Sequence, residues 1–266
     1  MAILVSVVFL FGSALHDRGV PQPPFPHQAH TPKSTDRVTA VILVNNPHRA
    51  KLTADNILPL LANHPSISEI VVSHSTPSTI PPLSNLIESH IDSSSDDPIL
   101  GLALRFKLCA QASNEIILHI DSDMIPSQSS ITALLDEFTL DRRRIVGKYG
   151  RKLKFFQTMY STTNIAGLAP VILTKFAMHD RQLCSSFLSH TTMNFRWSNG
   201  EDIFLSLLAS HLYDRNMNFA MPELDVRDAP TTNDENPISG GSNIFLMLRH
   251  KNERKRLWIK FQKMLN

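Results

Sequence analysis

The chain has 266 residues, 42% of them hydrophobic and 19% charged, with a formal net charge of +2. That length suits one sizeable domain or two small ones, and the composition is globular, which argues against a disordered chain. The near-balanced charge argues against an overall polybasic nucleic-acid binder, so no nucleic-acid partner is expected.

The apolar run at residues 2–15 is shorter than the roughly 20 residues a spanning helix needs. It matches the hydrophobic core of a signal peptide better, although no Lys or Arg precedes it. A cleaved leader, a truncated anchor and a misassigned start are the open readings, with a leader or anchor expected. Residues 16–36 carry Pro21, Pro23, Pro24, Pro26 and Pro32 and read as a linker or stem. The expected organisation is a leader or anchor plus Pro-rich linker over residues 1–36 and one folded domain over 37–266. The expected location is the secretory pathway (Golgi or ER lumen) or a membrane-associated state.

From Arg37 the pattern alternates strand and helix. Residues 38–44 form a continuous apolar run rich in β-branched residues, which predicts a buried strand. Residues 53–62 have helical spacing at Ile57, Leu60 and Leu61, and residues 69–73 read as a second buried strand. Residues 75–98 are rich in Pro, Ser and Asp and read as irregular. A helix is predicted over 100–113, a third strand over 115–120, a helix over 130–138 and a short strand over 144–147. This order predicts an α/β fold, Rossmann-like, with a mostly parallel sheet and helices on both faces. Ligands of such sheets gather at the carboxyl ends of the strands. Further on, 167–174 reads as a strand, 201–212 as a helix, 222–243 as a mobile loop and 248–265 as a basic amphipathic helix. Cys109 and Cys184 show no CxxC spacing, so a thiolate zinc site is not expected, and their pairing is open.

The most informative segment is Ile116-Ile-Leu-His-Ile-Asp-Ser-Asp-Met124. A buried strand delivers Asp121 and Asp123 into the turn at its end. Residues i and i+2 of a strand share a face, so both carboxylates can approach one cation. Hard divalent ions such as Mg²⁺ and Mn²⁺ favour oxygen ligands and keep positions open for substrate phosphates. The competing readings are a solvated acidic turn that caps the next helix and an Asp-x-Asp phosphatase of the haloacid dehalogenase type. In those phosphatases the pair normally opens the domain, whereas here it lies deep in the chain and continues with Met124, Ile125 and Pro126. A second acidic pair, Glu201 and Asp202, lies in the first turn of a predicted helix that Ser198 or Asn199 could cap. Helix-dipole complementarity alone accounts for acids there. Arg249, Lys251, Arg254, Lys255 and Arg256 form a basic cluster, either a solvated helix end or a clamp on phosphate oxygens. The run from Gly147 to Lys152 reads as a basic hairpin or a loop flanking a nucleotide site.

Taken in order, these segments resemble the exostosin-like glycosyltransferases, glycosyltransferase family 64. Val38-Thr-Ala-Val-Ile-Leu-Val44 followed by Asn46 is similar to the opening strand and Asn-containing turn of that family. Ile116–Asp123 matches its strand and acid cluster. Arg144-Ile-Val-Gly147 with Arg151 and Lys152, Asn199-Gly-Glu-Asp-Ile203, and Arg254 through Phe261 resemble three further motifs in the same order. The resemblance implies a GT-A fold over residues 37–266, a UDP-sugar donor, Mn²⁺ dependence and transfer with retention to a glycan or glycolipid acceptor, with an N-acetylhexosamine the expected sugar. It implies that Asp121, Ser122 and Asp123 hold the metal and donor, with Asp121 and Asp123 as metal ligands. Asp202 takes the position of the catalytic carboxylate beneath the anomeric carbon. Arg254 takes that of a diphosphate contact, and Asn46, Arg105 and Lys107 fall near nucleotide-contacting positions. Homo- or hetero-oligomers and a catalytically weak nucleotide-sugar-binding partner subunit are compatible with it.

Three departures stand out. The family commonly has three acids where this chain has Asp121-Ser122-Asp123. It also has Cys at the places held here by Gly200 and Leu257. Their joint absence is what loss of one disulfide between the catalytic segment and the last helix looks like.

Overall fold

A computed structural model describes the protein over residues 36–44, 47–74, 87–92, 94–154, 159–190, 197, 199–213, 218–229 and 244–265. The strands in chain order are β1 (Val38–Val44), β2 (Ile67–His74), β3 (Ile87–Asp92), β4 (Ile116–Asp121), β5 (Met124–Pro126), β6 (Val146–Gly147), β7 (Gly150–Lys154), β8 (Met159–Ile165), β9 (Gly167–Ala169), β10 (Val171–Ile172), β11 (Phe176–Asp180), β12 (Asn218–Ala220) and β13 (Val226–Asp228). The helices are α1 (Pro47–Leu52), continued by a π-helical turn at Thr53–Ile57 into α2 (Leu58–Ala62), then α3 (Asp97–Leu100), α4 (Leu104–Ala110), α5 (Gln128–Leu140), α6 (Arg181–His190), α7 (Glu201–Leu212) and α8 (Ile244–Leu265).

Eight of the strands form one sheet in the order β3-β2-β1-β4-β11-β6-β12-β9. The half from β3 to β4 is parallel throughout. β11 then enters antiparallel to both β4 and β6, β12 is parallel to β6, and β9 closes the edge antiparallel to β12. The sheet is therefore mostly parallel, as the alternating pattern predicts. It sits between two apolar layers, and strand alternation assigns residues to each. In β1, Val41 and Leu43 enter one layer while Ala40, Ile42 and Val44 enter the other. In β4, Ile117 faces the first layer and Leu118 and Ile120 the second. Residues of α4, α6, α7 and α8 pack in the first layer, and those of α2 and α5 in the second. A strand covered on both sides needs an unbroken apolar run, which is why β1 is buried at all seven positions.

Several expectations are corrected. Part of the stretch read as irregular forms β3, which extends the sheet beside β2, and α3 follows it; residues 75–86 lie outside the described residues. The strand expected over 167–174 is divided at Pro170 into β9 and β10, which belong to different sheets, since Pro cannot donate to a ladder. Within the loop expected over 222–243, β13 pairs antiparallel with β5. The expected side-chain cap of α7 is absent. Gly200 occupies that position at φ +83°, a left-handed conformation that suits glycine.

Gly147 and Gly150 are required for space. A Cβ at Gly147 would lie 2.5 Å from Ile172 Cγ2 and 2.9 Å from the Phe176 carbonyl oxygen. A Cβ at Gly150 would collide with that of Ala220. Cys109 of α4 and Cys184 of α6 form a disulfide, with their Cα atoms 6.0 Å apart, which ties together two helices of the same layer. Among the described residues, no helix is long and apolar enough to cross a membrane.

Candidate active site

β4 ends at Asp121, at the carboxyl end of the parallel half-sheet. Ser122 and Asp123 form the turn into β5. The Asp121 N–H donates to the Lys175 carbonyl at 2.8 Å, and the Asp123 carbonyl accepts from the Ala229 N–H at 2.7 Å, so both ends of the turn are anchored by backbone. Ser122 is buried within it.

Each carboxylate is held by an arginine. Arg105 Nη2 donates to Asp121 Oδ1 at 3.1 Å, and its Nη1 donates to the Thr174 carbonyl and hydroxyl at 3.0 and 2.9 Å. Arg49 Nη1 lies 3.3 Å from Asp123 Oδ2. Asp123 Oδ1 is buried and has no hydrogen-bond partner. Burial, reinforced by the charge of Asp121, raises the Asp123 carboxyl above the ordinary aspartate range, against the opposing pull of Arg49 and Lys175. A divalent cation supplies what this arrangement lacks. It would satisfy the orphaned oxygen and offset the like-charge repulsion, with hard oxygen donors of the kind Mg²⁺ and Mn²⁺ prefer. The two side chains remain about one-fifth exposed, at 21% and 24%, so the site is reachable. The donor set therefore fits such an ion.

Arg105 links this turn to the second acidic pair. Burial alone would lower its pKa, but the charges of Asp121, Glu201 and Asp202 outweigh that and raise it. The guanidinium thus stands in the field of both acidic pairs at once. Glu201 and Asp202 open α7 and are buried. Burial and the charge of Asp202 push the Glu201 carboxyl up to about 7, against the pull of Arg105 and Arg254, and Glu201 Oε2 has no hydrogen-bond partner.

Arg254 of α8 closes on Asp202. Its Nη2 donates to Asp202 Oδ1 and Oδ2 at 2.6 and 2.7 Å, and its Nη1 donates to Asn199 Oδ1 at 2.7 Å. The expected catalytic carboxylate and the expected diphosphate contact are therefore one buried ion pair, with both carboxylate oxygens on a single guanidinium nitrogen. Asn199, read as a helix cap, orients that arginine instead. The lost-disulfide reading has a geometric counterpart. A Cβ built on Gly200 would stand 3.5 Å from Leu257 Cβ, within the range that disulfides span.

Not every expected residue joins the cluster. Lys107, two positions after Arg105 on α4, forms its ion pair with Asp96 at 2.6 Å. Residues two apart on a helix do not share a face. Asn46 lies outside the described residues. Of the basic cluster on the last helix, Arg254 is buried while Lys255 and Arg256 are exposed. Sequence reasoning also missed several contributors. Arg49 and Lys175 face Asp123 from helix and turn, and Asp228 and Asp123 add to burial in pushing the Tyr149 phenol up to about 12. Of these, Tyr149 lies in the Gly147–Lys152 run, while Arg49, Lys175 and Asp228 lie in no recognisable motif. Glu201 was visible as an acid in a first turn and as a member of the Asn199–Ile203 motif, with no role of its own.

A largely parallel α/β sheet that presents Asp-x-Asp at the end of a central strand defines the GT-A class of glycosyltransferase folds. In keeping with this, the chain is similar in fold to a mannosyltransferase from Pyrobaculum calidifontis in complex with GDP-Man and Mn²⁺, with a TM-score of 0.53 at 16% sequence identity. That likeness covers 76% of this chain and 60% of the other, so this chain matches less than two thirds of its neighbour's length. Residues 38–265 match the Glycosyl transferase family 64 domain, and the chain belongs to that family. No curated protein is matched by this chain.

Proposed function

We propose that this glycosyltransferase moves a sugar, with retention at the anomeric carbon, from a UDP-sugar to a glycan or glycolipid acceptor. The observation that carries the reading is Arg105, whose buried guanidinium bonds Asp121 and lies in the field of Glu201 and Asp202. It brings the metal-type turn and the candidate catalytic carboxylate into one charged site. Asp121 and Asp123 would hold Mn²⁺, which when bound offsets negative charge on the departing diphosphate.

The protein's own residues have separable tasks. Asp202, fixed by two bonds from Arg254, is a preoriented carboxylate that can stabilise positive charge developing at the anomeric carbon. Arg254 balances that carboxylate and carries the positive charge that a diphosphate contact requires. Arg105 holds Asp121 in place. The bond from the anomeric carbon to the diphosphate oxygen breaks, and an acceptor oxygen forms its bond on the same face. The acceptor's proton passes to the departing phosphate oxygen. The exostosin-like order of motifs supports a UDP-linked N-acetylhexosamine as donor. We place the enzyme in the secretory pathway, or at a membrane, on the strength of the apolar run at residues 2–15, with residues 1–36 as leader or anchor and linker.

One observation favours a second reading. The two charges assigned to the donor are already bonded to each other, as in a nucleotide-sugar-binding subunit of weak activity. Calorimetry with UDP and Mn²⁺, paired with transfer assays on an acceptor panel, separates the two. Tight binding with no transfer or donor hydrolysis favours the subunit, and turnover favours the enzyme.

A further inference from the structure

A cluster to which the proposed reaction assigns no role begins two residues before Asp121 on β4 and four residues after Arg105 on α4. His119 of β4 and His179 of β11 face the same apolar layer from adjacent antiparallel strands, with ring centroids 4.9 Å apart. Cys109 and Cys184 come down onto them from α4 and α6. One ligand atom from each of the four lies within 4.8 Å of the others. All four side chains are buried, His179 and both cysteines fully so.

Two features of the histidines go beyond proximity. His179 Nδ1 is 2.8 Å from its neighbour's carbonyl, Asp180 O. A carbonyl can only accept, so Nδ1 carries the proton and Nε2 carries the lone pair. Nε2 is 4.0 Å from Cys184 Sγ. An outer hydrogen bond to a backbone carbonyl, with the other nitrogen turned towards sulfur, is how metal-binding histidines are set. His119 has neither ring nitrogen hydrogen-bonded, although it is only 1% exposed. Buried polar atoms without partners are rare and cost free energy. The packing around the cluster is aromatic: Phe106 meets the His119 ring edge-on at 5.6 Å and packs at a tilt against Phe187.

We propose that, when the Cys109–Cys184 bond is reduced, Cys109, Cys184, His119 and His179 bind one zinc-class divalent ion in a tetrahedral site. Two thiolates and two imidazoles are a standard donor set for structural zinc. Tetrahedral bonds to sulfur and nitrogen of about 2.3 and 2.1 Å place ligand atoms about 3.3–3.8 Å apart, so shifts of about 1 Å complete the site. Disulfide and metal are alternatives, because the ion needs both sulfurs as thiolates. A dithiol reductant opens the bond: its own sulfurs become a disulfide, and each cysteine gains an electron and a proton. Both protons leave when the ion binds. The sequence spacing hides this site, since each cysteine sits alone on its own helix and the histidines come from strands 60 residues apart in sequence. The inference does not depend on the proposed glycosyl transfer.

Cobalt(II) reports on such sites by colour. The full chain carrying Asp123→Ala, which removes the oxygen-ligand site, is unfolded with a phosphine reductant and refolded with Co²⁺ under argon. The expected result is one Co²⁺ per chain, with thiolate-to-cobalt charge transfer and the strong visible bands of tetrahedral coordination, displaced by equimolar Zn²⁺. The disulfide form shows none of these. Cys184→Ser loses the charge transfer of one thiolate, and His179→Ala weakens cobalt affinity at least about tenfold. A reduced chain with native circular dichroism and no such spectrum overturns the proposal. So does a reduced chain that stays unfolded with Co²⁺ present, or a His179→Ala chain with unchanged spectrum and affinity.

Discussion

Joining positions 200 and 257 by a disulfide is a sharp test of how the catalytic segment meets the last helix. A Cβ on Gly200 would stand 3.5 Å from Leu257 Cβ, inside the 3.5–4.5 Å range of disulfides. Closing a loop of about 60 residues removes about 4 kcal/mol of unfolded-state entropy at 25 °C. Two costs oppose this. Gly200 has φ +83°, where a side chain costs about 1–2 kcal/mol. The partly buried Leu257 loses apolar contact worth about 1 kcal/mol. The doubly substituted chain, Gly200→Cys/Leu257→Cys, is therefore about 1–2 kcal/mol more stable than wild type when oxidised. Reduced, it keeps only the costs and is about 2–3 kcal/mol less stable than equally reduced wild type. Urea unfolding of both proteins, with and without reductant, reads the sign change. Wild type under the same reductant corrects for Cys109–Cys184. Two free thiols persisting in the oxidised variant, or a stability that does not cross that of wild type, would refute the packing described for Gly200 and Leu257.

Three further outcomes are expected. Arg254→Met leaves Asp202 buried and uncompensated, and should cost about 3–5 kcal/mol in urea unfolding. Adding Asp202→Asn should recover at least about 1 kcal/mol, and strictly additive losses would deny the pair. Glu201 binds its proton more tightly folded than unfolded, since its carboxyl is raised from 4.5 to about 7. The stability gained from that proton is present below pH 4.5 and lost as pH rises through 7, so wild type should lose on the order of 3 kcal/mol relative to Glu201→Gln across that window. Parallel pH–stability curves for the two proteins would show that Glu201 is not desolvated. Asp123, whose carboxyl is also raised, must release its proton to bind a metal. Mn²⁺ affinity measured by calorimetry should therefore begin to fall at a higher pH than an ordinary aspartate dictates, and Asp123→Asn should abolish binding.

Much of this architecture was legible because burial writes itself into local sequence. β1 is apolar at nearly every position because it is covered on both faces, and β4 announces its end by changing from Ile120 to Asp121. The strands and helices that escaped notice lack such signals. β11 reads Phe-Ala-Met-His-Asp, and its His179 is buried because β11 is an interior strand, beside His119 and the two cysteines. α6 carries few apolar residues, among them Leu183, Cys184 and Phe187, on an otherwise polar helix. In the site, Asp121, Asp123, Asp202 and Arg254 stood out by type and order. Their partnerships did not. That Arg254 closes on Asp202, that Asn199 orients Arg254, and that Arg105 lies between two acidic pairs all depend on packing between α4, α7 and α8. The resemblance put Lys107 with Arg105 near nucleotide-contacting positions, and helical geometry separates them.

The most direct test of the proposed chemistry is release of UDP from a panel of UDP-sugars in the presence of Mn²⁺, with GDP-sugars as the contrasting donors. Wild type should hydrolyse or transfer at least one UDP-sugar, and chelation of the metal should stop it. Asp123→Ala and Asp202→Ala should each lower turnover by at least about a hundredfold, the scale on which loss of a transition-state charge partner acts. Unchanged turnover in both variants would contradict the assignment of this site.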